Sequence, residues 1–390
     1  MRRGLRACLG PALLCGALGL SATACKSLPG TEGARLASTM GTQVAPTPRL
    51  ALAWRSHVVS WQYWDWQPLE FSQPSVSPDG QELAVGTSTG QVVGIATRDG
   101  RVRWSVDTGA RVDAKPVYWE DMILVGNDAG VLHGLSAHGD IRWTYQTRAE
   151  IDGTVAVSDG RAFVMDGADI LHALDARTGK RLWSYTRALP DYFTVGGSSE
   201  ISVHGDTVFA GFADGTFVAL FIEDGSLQWG RDLTGGARDF VDVDAKAIVY
   251  DGMVYAASFA GGLYAMDLAS DGEPVWRREF SGVTSLQRVG DTLYTSTASR
   301  YVIALDAKTG ATRWRFRHVE NTPTELVVAG DYLVYGGSNV GLFVVDRASG
   351  RPLLGFDNRG GFSAPPSHAA GRTYAFSNRG YLYGFDLVVP

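Results

Sequence analysis

One unit recurs along this chain and leaves few folds open: a short apolar strand, a turn of small residues, a second apolar strand, a tight turn, then a tryptophan. Two copies are nearly identical, ALDARTGKRLW at 173–183 and ALDAKTGATRW at 304–314. Looser copies end at Trp104, Trp143, Trp229 and Trp276, and a seventh ends at Leu354. Successive ends lie 39, 40, 46, 47, 38 and 40 residues apart, the length of about four strands joined by short hairpins. An eighth unit is divided between the two ends of the chain. The strand pair within 373–387 has no tryptophan after it, and LALAW at 50–54 carries a tryptophan without a pair before it. Joining the two would close a ring and remove the open sheet edges that invite aggregation. The expectation is an all-β, eight-bladed β-propeller closed by pairing of the N-terminal and C-terminal strands.

Within this frame most polar residues have structural tasks. Asp175, Asp267, Asp306, Asp346 and Asp386 end the third strand of their units, where a carboxylate can accept backbone N–H groups of the next turn. Gly179, Gly310 and Gly350 fall where that hairpin needs a positive φ. Each tryptophan is expected to pack its indole on the next blade. His133 and His172 could pass for paired metal ligands, but they align with Val93, Val218, Tyr264, Ile303, Phe343 and Tyr383 of other units and so read as hydrogen-bonded core histidines. The aromatic run WQYWDW at 61–66 could be a binding surface; packing between the closing blade and the first explains it as well.

Little in the sequence proposes a reaction. There is no HExxH, GxSxG or P-loop, and the seven histidines are scattered. GGSS at 196–199 lacks the helix and lysine of a phosphate loop. With 35 Lys and Arg against 41 Asp and Glu, the chain has no broad cationic surface for nucleic acid. Cys8, Cys15 and Cys25 all lie in the first 25 residues, so the rest holds no thiol for a disulfide, thiolate metal site or nucleophile. Arg2, Arg3 and Arg6 precede an apolar stretch at 7–20, which reads as an export signal. Small residues before Cys25 resemble a bacterial lipobox, so 1–24 is expected to be removed, Cys25 to carry lipid, and 25–48, rich in Ser, Thr, Gly, Pro and Ala, to be a flexible tether to a propeller at 49–390.

The unit ALDxxTGxxxW resembles the pyrroloquinoline-quinone-type propeller repeat, over about 50–387. Quinoprotein dehydrogenases with this repeat hold the quinone and calcium through Glu, Asn and Asp beneath a vicinal disulfide, and a chain without mature cysteines departs from that pattern; no cofactor and no metal is expected. The whole plan, a lipid-bearing Cys25, a polar tether, an opening Ala53-Trp54 strand and eight units, resembles the outer-membrane assembly factor BamB family. That resemblance implies a noncatalytic lipoprotein on the periplasmic face of the outer membrane, with a BamA-type barrel protein as partner. The two longest spacings place extra residues at about 187–199 and 234–245, on one face of the ring. Tyr192, Phe193 and Val195 on the first and Asp239, Phe240, Asp242 and Asp244 on the second form an apolar patch beside carboxylates. The family likeness implies partner contact by Phe193 and Val195 and by the pair Asp242 and Asp244; Gly196 stands where the family carries Arg. A propeller lipoprotein for another envelope protein, peptide or glycan is the alternative, a quinoprotein oxidoreductase the more distant one.

Overall fold

The computed structural model describes residues 48–60, 69–187, 199–318 and 321–388. Among them, thirty-two strands form eight four-stranded antiparallel sheets. Blades 1 to 7 are continuous in sequence and span 75–107, 117–146, 156–186, 202–232, 248–278, 283–317 and 327–356. Blade 8 takes three strands from 367–388 and its outermost from β1 (Arg49–His57). Strand β1 runs antiparallel to Tyr381–Val388, from Arg49 opposite Val388 to His57 opposite Tyr381. The expected closure and blade number are both present.

The two middle strands of each blade are covered on both faces, which is why they read as apolar runs such as MILVG at Met122–Gly126, every residue buried. Outer strands alternate instead, as in Arg181–Thr186. The register slips just before the tryptophan, between Ala173 and Leu174 in blade 3. Such a bulge twists an edge away from foreign strands. The core is a circle of eight interfaces. Phe163 and Leu171 of blade 3 meet Val208 and Val218 of blade 4, and the last cluster joins Tyr374 and Phe376 of blade 8 to Leu83 and Val85 of blade 1.

Tryptophans rivet these interfaces. Trp183 donates from Nε1 to Ile222 O at 3.1 Å, Trp276 to Ala307 O at 3.0 Å and Trp314 to Arg347 O at 3.1 Å, always onto the following blade. The indole lies on that blade's hairpin glycine. A Cβ on Gly310, whose φ is +67°, would come within 2.9 Å of the Trp276 ring, so the position requires glycine for contact as well as for φ. Trp104 departs from the pattern and donates to Glu82 of its own blade. Trp143 Nε1 has no hydrogen-bond partner.

Asp175, Asp306 and Asp346 accept the N–H three residues on, at 2.8, 3.0 and 2.7 Å, and Asp267 accepts that of Ala269 at 3.1 Å. Asp386 does not share this task. It lies inside the strand Tyr381–Val388, which runs on past it alongside β1, and it pairs with Arg372 at 2.7 Å. Arg372 and Trp54 both donate to Thr97 O at 2.7 Å, tying blade 8 to blade 1.

Candidate docking site

In a four-stranded meander the hairpins between strands 2 and 3 and the connections between blades leave by the same end, so these segments share one face of the ring. On that face both long connections flank blade 4. The second runs through VDVD at 241–244, an extended segment of period two. Val241 and Val243 are buried, Val243 within the core between blades 4 and 5. Asp242 and Asp244 therefore turn the other way. The segment is clamped by blade 5: Ser258 Oγ donates to Val241 O, Phe259 N to Asp242 O and Ala260 N to Phe240 O, at 2.7, 2.8 and 2.9 Å. Phe240 is left with φ +56° and a side chain that is 45% exposed, beside exposed Asp239.

Asp242 is only 2% exposed, so the pair is not a simple surface cluster. Burial, followed by repulsion from Asp242, Asp169 and Asp152, pushes the Asp244 carboxyl up to about 8. Asp169, on the blade 3 hairpin, is pushed up to about 6 by burial and by Asp214 and Asp242, against the N–H that Ala213 donates to it at 3.1 Å. Arg187 neutralises Asp214 at 2.8 Å. A carboxyl raised in this way by burial and crowding is a place where an added cation gains much. Asp152, Asp169 and Asp214 were not marked by the sequence, since three separate segments deliver them.

Tyr192, Phe193, Val195 and Gly196 lie outside the described residues, as do Cys25 and the aromatic run at 61–66. Of the flanks of the first long connection, Arg187 binds the blade 4 hairpin at Asp214, and Glu200 N donates to Asp244 O of the second connection at 3.2 Å.

Beneath this face, four blades send charges toward the axis. Lys115, Glu200, Lys246 and Glu325 stand at or just before the innermost strands of blades 2, 4, 5 and 7, and Lys115 feels both glutamates. Blades 2 and 7 are not neighbours, so this interaction crosses the centre. Burial lowers the Lys115 ammonium and raises Glu325 to about 8, Glu200 adding repulsion that the lysines oppose. Lysines and glutamates alternate there, and among the described residues no three His, Cys, Asp or Glu side chains gather to hold a metal. That donor set does not fit a quinone with its calcium. His172 is a satisfied core residue, bonded to Asp166 and Tyr145 at 3.1 Å each. His133 is buried too, but its Nδ1 lacks a partner and burial lowers its pKa.

The sequence model of the family described as outer membrane protein assembly factor BamB matches residues 104–316 and 299–388. The chain belongs to that family. The BamB of Shewanella oneidensis is 28% identical over 292 residues, 73% of this chain and 64% of that relative. The Yersinia pestis BamB is 27% identical over 317 residues, 80% of this chain and 70% of the relative. With Kangiella koreensis BamB the match spans 53% of the relative, so the chain covers between half and two thirds of the length of some curated BamB proteins. In structure, BamB from Moraxella catarrhalis superposes with TM-score 0.75 at 21% identity, covering 87% of this chain and all of that one. The quinohemoprotein alcohol dehydrogenase of Comamonas testosteroni has TM-score 0.68 at 16% identity, over 86% and 76% of the chains. Both likenesses concern the fold. A BamB-family chain thus shares its ring fold with a protein named as an enzyme.

Proposed function

We propose that this BamB-family chain is a noncatalytic scaffold of outer-membrane protein assembly, held to the membrane by lipid on Cys25 and docking a BamA-type barrel protein on the face described above. The family match across the ring supports the assembly role. The observation that carries the docking reading is the cluster Asp152, Asp169, Asp242 and Asp244, in which burial and mutual repulsion raise Asp169 and Asp244, on the face that exposes Asp239 and Phe240. An arginine from the partner would replace bound protons there and gain a charge-assisted contact in a partly dry site. Tyr192, Phe193 and Val195 supply the apolar half of the surface. Among the described residues no helix is long and apolar enough to cross a membrane, and the lipid is the proposed attachment.

The test is recovery of partners from detergent-solubilised envelopes. Asp239→Arg with Phe240→Ala, both exposed, should lower recovery of a BamA-type protein by tenfold or more, on the order of the 1.4 kcal/mol or greater loss of one interface anchor. Unchanged recovery with a correctly folded variant rejects the face. Mass spectrometry of the mature amino terminus checks the lipid on Cys25.

A further inference from the structure

The ring is electrically lopsided. Residues 69–280, which hold blades 1 to 5, carry 17 Lys and Arg against 31 Asp and Glu; residues 281–388 with β1, which make blades 6 to 8, carry 13 against 8. A chain of net charge -6 therefore presents a basic arc.

Ion pairs occur on both arcs, Arg103 with Glu82, Arg142 with Asp121, Arg187 with Asp214 and Arg231 with Glu273 on the acidic one, Arg313 with Asp306, Arg347 with Asp331 and Arg372 with Asp386 on the basic one. Along the outer strands of the basic arc stand Arg315 and Arg317 in blade 6, Arg351 at the turn into the outer strand of blade 7, and Arg49 and Arg55 in β1. All five are exposed, and none has a carboxylate partner among the described residues. Rings hold some of them outward: Arg315 and Arg317 lie 5.8 and 5.6 Å from the centre of Tyr301, and Arg55 lies 4.8 Å from that of Tyr381. Between Arg49 and Arg55, Leu52 is 53% exposed.

Chain connectivity places this arc next to the tether. The chain enters the ring at Arg49, on the rim of blade 8. The 23 residues 26–48 separate that entry point from Cys25 in the sequence. The rim where the chain enters is thus both the part nearest in sequence to Cys25 and a part rich in cations without a carboxylate partner among the described residues.

We propose that the outer strands of blades 6 to 8 rest on an anionic lipid headgroup surface through Arg49, Arg55, Arg315, Arg317 and Arg351. The ring then stands on its rim, with the acidic arc and its docking face turned from the bilayer toward a protein partner. Phosphate groups suit arginine forks, and a bilayer of negative surface potential attracts one arc while repelling the other. The inference rests on the anchored reading above only for how the chain reaches the bilayer.

All thirty-two strands lie within Arg49–Val388, so a chain starting at Lys26 keeps the fold and lacks both leader and Cys25. Such a chain is floated with phosphatidylcholine vesicles, with and without phosphatidylglycerol. Binding is expected only with phosphatidylglycerol, and is expected to fall as salt rises. Arg315→Glu with Arg317→Glu should weaken it by more than about tenfold, whereas Lys180→Glu with Arg181→Glu, an equal charge change on blade 3, should leave it nearly intact. Thermal melting confirms that each variant folds. Equal binding to neutral vesicles, no binding to either, or no response to the blade 6 reversal overturns the proposal. Loss of barrel-protein recovery in the blade 6 variant, with vesicle binding unchanged, also overturns it and assigns the arginines to a protein contact. Failure of the docking face would appear only in recovery with Asp239→Arg, and a missing lipid on Cys25 only in mass spectrometry.

Discussion

Blades 1 to 7 and the seam at blade 8 are built from one repeat and held by different means. Inside the ring an outer strand is tied by its own hairpin, and the tryptophan it carries lies on a glycine of the next hairpin. At the seam no covalent turn joins β1 to Tyr381–Val388, so backbone pairing, Trp54 and the Arg372 link to Asp386 and Thr97 do the holding. The same break explains why the seventh unit ends in Leu354. A tryptophan there would face the one blade without a hairpin between its third and fourth strands, and leucine instead joins Leu50 and Leu387 around the blade 7 to 8 cluster. A local change in connectivity thus alters the side chain required on the neighbouring blade.

The sharpest way to break this comparison is to remove a rivet on each side. Trp54→Ala and Trp314→Ala should each cost about 3–5 kcal/mol in denaturant unfolding. Hydrogen exchange separates them: amides of β1 should lose protection in Trp54→Ala, while those of Thr312–Arg317 stay protected in Trp314→Ala because a hairpin retains the strand. Equal protection in both would mean the seam behaves like any other blade. Glycines offer the next largest effect. Gly310→Ala meets the Trp276 ring and an unfavourable φ, for about 2–4 kcal/mol. Gly290→Ala, with φ +56° and nothing within 4 Å of its Cβ, should cost only about 1 kcal/mol.

Leu354→Trp asks whether the seam can accept a rivet. With no hairpin glycine to receive the indole, overpacking is expected to destabilise by about 1–3 kcal/mol; a gain in melting temperature would contradict the account of the seventh unit. The smallest change lies across the ring from the seam. Asp244 has its folded value raised to about 8 from 3.8, so the folded chain holds a proton that the unfolded chain releases, and stability falls as pH rises between those values. Asp244→Asn removes that penalty. It should stabilise above the raised value and change almost nothing below 3.8, read as the difference in denaturant midpoint between the two pH values. Exchange in β1 should not respond, since the seam lies on the far side of the ring.

The proposed docking face was legible in outline only. The two long spacings pointed to the connections that flank blade 4, and Asp239 and Phe240 are exposed there. Repeat spacing carried no sign that Asp242 would be almost fully buried, because alternation tells which residues point together but not what lies opposite them. Asp386 matched its repeat position and took another role, since its strand continues past it in pairing with β1. His133 and His172 share a register position, yet only His172 finds two partners.

Blade number, turn positions, riveting tryptophans and the split closing unit follow from the sequence by itself, because each is set by residue types at short, repeated separations. Tertiary structure alone decided that Asp152, Asp169, Asp214, Asp242 and Asp244 share one electrostatic site, that Lys115 and Glu325 interact across the axis, and that arginines without a carboxylate partner among the described residues line the rim where the chain enters. Those groups are far apart in sequence, and the curvature of the closed ring is what brings them together.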